Sequence, residues 1–203
     1  MTRPASRISH AYPERIEVRG RDLAHDLMGS VSFTEYFNLL LTGREPTDDE
    51  RFFLDLLLVA IAEHGLMPSN VAARMTLAAD PESLHGAVAA GILGAGPVVL
   101  GTPEVCARLL EDAQGRVVAG ETPDAVAVAM ARATQARGDK LPGFGHPLHR
   151  ERDPRAQRIL ELADARGVTG PHVLLARCFA DAVEVVWGKH LPMNVAMPIA
   201  AVM

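Results

Sequence analysis

The chain has 203 residues, with 20 Lys and Arg against 25 Asp and Glu for a formal net charge of −5. Hydrophobic residues make up 48% of it, which excludes an intrinsically disordered chain, and the acidic balance argues against a nucleic-acid binder, whose surface carries a basic stripe. Cys106 and Cys178 lie far apart with no CxxC pairing, which excludes a disulfide scaffold and a cysteine-based zinc site.

At about 100–200 residues per domain, one domain or two small lobes are expected. Arg3 and Arg7 are not followed by the apolar stretch of a signal peptide. The longest apolar runs, 52–62 and 86–100, are broken by Asp55 and by glycines and a proline, and both fall short of the ~18 unbroken residues of a membrane span. A reduced, soluble, cytoplasmic protein is expected.

In chain order, Ile16–Arg19 reads as a short extended piece after a loop at Ala11–Glu14. Thr47-Asp48-Asp49-Glu50 is a capping box, in which the Thr47 hydroxyl accepts the Glu50 amide and the Glu50 carboxylate reaches back. It opens the run Arg51–Glu63, apolar on most faces and therefore expected to be a buried helix. Glu63-His64-Gly65 closes that run, where a histidine at the helix C-terminus either is favoured in its charged form and serves an anionic ligand or simply satisfies the last carbonyls. Four further helices are expected to start at Thr102-Pro103, Thr122-Pro123, Asp153-Pro154 and Gly170-Pro171, because proline in the first turn lacks only an N–H that has no helical partner there. Gly115, Gly138, Gly167 and Gly188 are the expected stops, with Arg116–Ala119 as a second extended piece. Period-2 alternation of useful length is missing, so the fold class is all-α. Gly91, Gly94 and Gly96 do not form a GxGxxG nucleotide loop and are read as close helix packing. The loops Lys140–Arg152 and Lys189–Met193, with Ala11–Glu14, are the candidate functional loops.

The densest chemistry lies in Gly143-Phe144-Gly145-His146-Pro147-Leu148-His149 and the following Asp153-Pro154-Arg155. Two glycines before a histidine allow a tight turn that presents the ring, and Arg155 falls in the first turn of the helix begun by Asp153-Pro154. A histidine facing an arginine at a helix N-terminus suits a carboxylate beside a carbonyl: the guanidinium holds the anion and the imidazole polarises the carbonyl. The competing reading is a charged surface loop that caps a helix. His146 and His149 are three apart, as metal ligands can be, but no Glu, Asp or Cys at helical spacing completes a set, and no metal is expected. His10, His25, His85, His172 and His190 are read as surface or capping residues, and Trp187 as core packing.

Taken in series, these segments resemble the citrate synthase family and its relatives citryl-CoA lyase and the citryl-CoA-cleaving portion of ATP-citrate lyase. The resemblance runs from Val18–Leu23, Ser32–Glu35 and Leu39–Pro46, through Glu63–Arg74 and Gly143–Arg155, to Leu191-Pro192-Met193-Asn194-Val195. It implies a homodimer of two-lobed helical subunits, with residues 1–100 in the large lobe and 101–203 in the small lobe. It implies that His146 is catalytic, bonding the oxaloacetate carbonyl or the citryl hydroxyl, and that His64 and Arg155 bind substrate carboxylates. Pro142, Gly143, Phe144 and Gly145 are implied to touch the coenzyme A adenine. The coenzyme A thioester is then a substrate, and no cofactor is permanently bound. The implied partners are small molecules, with neither nucleic acid nor membrane among them.

The departures bear on activity. Gly96–Gly101 lacks the histidine that helps condensing enzymes of the family to enolise acetyl-CoA, which favours cleavage over synthesis. Ala196 stands where the resemblance implies the catalytic aspartate, so a replacement base is needed, and Asp181, Glu184 and His190 are equal candidates. The family continues for several helices beyond the point matching Met203, including one more carboxylate-binding arginine, so the chain reads as C-terminally truncated. The expected function is interconversion of citryl-CoA, or a related acyl-CoA, with acetyl-CoA and oxaloacetate. The alternative is a catalytically impaired paralogue that binds citrate, oxaloacetate or coenzyme A as a regulatory or partner subunit.

Overall fold

The computed structural model describes residues 6–63, 65–96 and 100–203. It divides into two compact units, Met1–Val59 and Ala60–Met203.

The first unit opens with a three-stranded antiparallel meander, β1 (Ser9–Ala11), β2 (Ile16–Val18) and β3 (Arg21–Asp22). Ser9 pairs with Val18 and Ala11 with Ile16, and Val18 pairs with Arg21 across the next turn. That turn is Arg19-Gly20, both with positive φ (50° and 80°), the backbone that a tight two-residue hairpin requires. The expected extended piece at Ile16–Arg19 is thus β2 and its turn, and Ala11–Glu14 spans the end of β1 and the preceding hairpin. A π-helical turn at Leu23–Leu27 leads to α1 (Phe33–Thr42), capped by a Ser32–Glu35 box. The Arg19 guanidinium donates to the Leu40 carbonyl in the last turn of α1 (Nε–O 3.2 Å). Val18, Leu27 and Leu39 form the small core.

The capping box predicted at Thr47 is present: the Thr47 amide donates to Glu50 Oε2 (2.8 Å) and the Glu50 amide to Thr47 Oγ1 (3.2 Å). It starts α2 (Asp48–Ile61), but α2 is not the buried helix its apolar content suggested. Only Phe53 and Leu57 are buried, while Leu58, Val59 and Ile61 are exposed.

In the second unit α3 (Pro68–Ala79) and α4 (Leu84–Leu93) pack on each other. Two of the three glycines read as packing residues are explained there. A Cβ on Gly91 would lie 3.2 Å from Ala73 Cβ, and one on Gly94 3.0 Å from Ser69 Cα, whereas Gly96 has open space. The main core joins α5 (Thr102–Val118), α6 (Pro123–Ala136), α8 (Pro171–Trp187) and α9 (Ala196–Val202), with α7 (Pro154–Ala165) packed on α9. Leu110, Val126, Phe179, Val183 and Met197 are among its fully buried side chains.

The predicted starts of α6, α7 and α8 hold, with Thr122, Asp153 and Gly170 as N-caps. The α5 expectation changes at both ends. Gly101 rather than Thr102 is the N-cap, and the helix continues through Gly115 to Val118, absorbing the predicted strand Arg116–Ala119. Gly115 costs about 1 kcal/mol in a helix interior, which packing of the neighbouring Leu109, Ala113 and Val117 offsets, and the left-handed residue that follows is Gly120 (φ 107°). Gly188 ends α8 in the left-handed conformation as expected (φ 62°). No helix among the described residues is long and apolar enough to cross a membrane.

Candidate functional site

Two of the three loops singled out in the sequence meet. Phe144 and Met193 form an isolated antiparallel bridge. Around it the Asn194 amide donates to the Gly143 carbonyl (2.9 Å), the Gly145 amide to the Pro192 carbonyl (2.8 Å), and Asn194 Nδ2 to the Gly145 carbonyl (3.1 Å). Gly143 is obligatory: its φ is 82°, and a Cβ there would lie 2.7 Å from Met197 Cβ and 3.0 Å from Cys106 Sγ. The first glycine of the motif therefore fits a backbone turn against the core, while the second, Gly145, needs only its positive φ (83°).

The turn delivers His146. Its Nδ1 accepts two backbone amides, from Leu148 (3.1 Å) and His149 (3.0 Å). An acceptor nitrogen carries no proton, so the ring proton is on Nε2, which makes Nε2 the donor of this imidazole. The His149 ring lies against it, with centroids 4.4 Å apart and planes at 31°.

Asp153 connects this loop to α7 and α9. Its side chain has no solvent exposure. It caps α7 through the Arg155 amide (3.0 Å), receives the Arg155 guanidinium on both oxygens (Nε–Oδ1 3.1 Å, Nη2–Oδ2 2.9 Å), and accepts the Val195 amide (3.2 Å). Burial pushes its carboxyl upward, but the Arg155 bonds and the charges of Arg155 and His149 outweigh that and hold it below the usual aspartate value. Arg155 thus uses Nε and Nη2 on Asp153, with Nη1 engaged by no described residue.

Ligand atoms of His146, His149 and Asp153 all lie within 4.8 Å of one another. Helical spacing did not reveal this set, because Asp153 enters it through the fold of the loop. The donor set does not fit a cation, because the Asp153 oxygens already bind a guanidinium whose charge would repel one.

His146 also lines a cleft of about 590 Å³ with Lys140, Phe144, Gly145, Trp187, Lys189 and Leu191. Lys140 and Lys189 form no ion pair among the described residues. Two unpaired ammonium groups beside a half-buried indole suit a ligand with a phosphorylated, planar end. Of the residues expected to touch coenzyme A, Phe144 and Gly145 line this cleft. Pro142 and Gly143 do not, and Gly143 faces Met197 and Cys106. Arg155 is not on the cleft wall either; it is held by Asp153, which has a carboxylate oxygen within 4.8 Å of a His146 ring nitrogen. His64 lies outside the described residues. Lys140, Lys189 and Trp187 line this cleft, and the sequence reading did not single them out for it. The only signal was their place in or beside the two loops already marked.

The three suggested replacement bases separate. Glu184 and His190 bind each other (Oε1–Nδ1 2.5 Å). Asp181 lines a different concavity, with Gln157, Glu161 and Arg177. Ala196 is buried at the start of α9, where its amide donates to Asn194 Oδ1 (3.0 Å).

Residues 5–203 match the family described as citrate synthase, C-terminal domain. A citrate synthase of Heyndrickxia coagulans is 30% identical over 153 residues, which are 74% of this chain and 39% of that protein. The chain therefore spans about two fifths of that curated relative. Citryl-CoA lyase from Hydrogenobacter thermophilus superposes with a TM-score of 0.85 at 29% identity, covering 99% of this chain and 75% of that one. An aspartate-to-alanine variant of ATP citrate lyase from Methanosaeta concilii, solved in complex with (3S)-citryl-CoA, has a similar fold (TM-score 0.81, 22% identity, covering 100% of this chain and 32% of that one). The family match runs over nearly the whole chain, and the chain accordingly belongs to the citrate synthase family.

Proposed function

We propose that the His146 cleft binds a coenzyme A thioester of a citrate-like acid, and that the chain acts in interconverting citryl-CoA with acetyl-CoA and oxaloacetate, in the direction of cleavage. The observation that carries this reading is the pair of backbone amides on His146 Nδ1, which puts the ring proton on Nε2 of a histidine that lines the cleft. A neutral imidazole donor polarises a carbonyl oxygen, or holds the hydroxyl of the citryl group as its carbon–carbon bond breaks. Lys140 and Lys189 supply charge for the nucleotide phosphates, with Phe144 and Gly145 at the coenzyme end. Beyond the cleft wall, Arg155, oriented by Asp153, offers Nη1 to a substrate carboxylate, and His64 serves a second one, as the resemblance implies. No permanently bound cofactor is part of this chemistry.

The same reading includes a large lobe over 1–100, a small lobe over 101–203, and a cytoplasmic homodimer. Free cysteines at 106 and 178 support a reducing compartment. The exposed Leu84, Val88, Ile92 and Leu93 of α4 support burial against a second copy.

In the direct test, purified protein is given citryl-CoA and free coenzyme A is measured. The wild type releases it and His146→Ala loses at least about 100-fold, the scale of one removed electrostatic donor. Equal rates in the two proteins refute the role of His146.

Ala196 favours a second reading, a binding paralogue. The aspartate implied by the resemblance at this position returns a proton to the acetyl carbon, which alanine cannot do, and general acid–base help is worth about 10²–10⁴-fold. Calorimetry with citrate and coenzyme A, joined to deuterium washout from the methyl group of acetyl-CoA, separates the two. Binding without washout supports the paralogue, and washout supports the enzyme.

A further inference from the structure

Near the His146–Asp153 cluster, the connection from α8 to α9 carries a histidine whose two ring nitrogens are both engaged. His190 Nδ1 lies 2.5 Å from Glu184 Oε1, in the last turn of α8, and its Nε2 lies 2.6 Å from the Glu151 carbonyl oxygen. A carbonyl oxygen only accepts, so Nε2 carries a proton, and a carboxylate accepts, so Nδ1 carries one too. The ring in this arrangement is an imidazolium. Its second partner is 39 residues away in sequence and belongs to the segment that begins at His146 and ends at Asp153. The flanking residues Lys189 and Leu191 line the His146 cleft, whereas His190 turns away from it toward the loop.

We propose that His190 is a positioning residue: as an imidazolium it fastens the His146–Asp153 loop to the C-terminal end of α8, and on losing its proton it releases that loop. The charged groups that face it are the Glu184 carboxylate from α8 and Glu151 from the loop, with Lys189 beside it in the chain. The Glu184 bond, then the Glu151 carbonyl, raise its pKa above the ordinary histidine value. A raised folded-state pKa means that the fastening is complete below the unfolded value of about 6.5 and is lost as pH climbs through the folded one. Release of Glu151 loosens the segment carrying the Leu148 and His149 amides, which hold Nδ1 of His146. The consequence for chemistry rests on the proposed role of His146, whereas the fastening itself does not.

Amide hydrogen exchange tests it without any substrate. Protection factors at Leu148 and His149 are measured from pH 5.5 to 9 in the wild type, His190→Gln and Glu184→Gln, while the His190 ring protons are titrated by NMR. In the wild type, protection falls roughly three- to tenfold, the scale of one charged hydrogen bond at a half-exposed site, with its midpoint at the His190 pKa. In His190→Gln protection is low and independent of pH. In Glu184→Gln, whose exposed side chain leaves the core intact, both the midpoint and the ring titration move to lower pH. Wild-type protection that stays flat through the His190 titration overturns the proposal, as does His190→Gln behaving like wild type. If the chain binds neither citrate nor coenzyme A, the proposed function falls while this exchange pattern stands.

Discussion

Removing the Asp153 carboxylate tests the link between the α7 cap and the site most directly. Asp153→Ala deletes an N-cap, typically about 1 kcal/mol, and leaves the Arg155 guanidinium without its counter-charge. Breaking a fully buried pair by deleting one partner costs about 3–5 kcal/mol. Here the Asp153 side chain is fully buried but that of Arg155 is 29% exposed, so water recovers part of the loss and the lower end applies. The Val195 amide also loses its acceptor. These effects share one side chain and do not add in full, which gives about 3–4 kcal/mol in all. At about 2–4 °C per kcal/mol for a domain of this size, Tm falls by roughly 6–16 °C. Asp153→Asn keeps the volume and, with Oδ1, the cap, but puts an amide NH2 where Oδ2 accepts Arg155 Nη2 and the Val195 amide, so it falls between wild type and Asp153→Ala, at about 2–3 kcal/mol. The pH dependence follows from the lowered pKa of Asp153. Its stabilisation is present above the unfolded carboxyl value of about 3.9 and is lost as pH falls through the folded one, so Asp153→Asn flattens that part of the acid limb. Urea unfolding followed by circular dichroism, repeated from pH 3 to 7, measures both effects. An Asp153→Ala midpoint matching wild type, within about 0.5 kcal/mol, refutes the argument that this carboxylate ties the loop, α7 and α9 together.

Gly143→Ala forces a Cβ into Met197 and Cys106 at positive φ. Left-handed strain and overpacking together predict a loss of about 2–4 kcal/mol, whereas Gly145→Ala, with open space at its Cβ, loses only the strain of about 1–2 kcal/mol. Chemical denaturation of the two variants side by side checks the order, and equal losses contradict it. Burial pushes the Cys106 thiol up to about 12, and burial with the nearby Asp124 pushes Cys178 up to about 11. Both thiols should therefore react with a disulfide reagent at pH 8 much more slowly in the folded protein than in urea. Fast labelling of Cys106 without unfolding contradicts its placement in the core.

The sequence alone determined what local hydrogen bonding decides. Thr47 with Glu50, and Thr122 and Asp153 before proline, announce helix starts because a cap and the amides it satisfies lie within four residues of each other, while Gly170 is marked by the proline after it alone. The Gly143–His149 turn was legible for the same reason, since positive φ belongs to the residue, whereas the meeting of the marked loops at 140–152 and 189–193 was not predicted. Tertiary structure decided everything that joins distant residues. Gly115 sits inside α5 because packing along that helix outweighs a local propensity of about 1 kcal/mol, and α2 leaves apolar side chains exposed although its composition suggested burial. Asp153 reads in the sequence as a simple cap, yet it also binds Arg155, receives Val195 and approaches two histidines. His190 reads as a surface histidine, yet it reaches a carbonyl 39 residues away. Which side chain meets which across such distances is set by how helices pack, and a one-dimensional pattern of caps and apolar positions does not encode it.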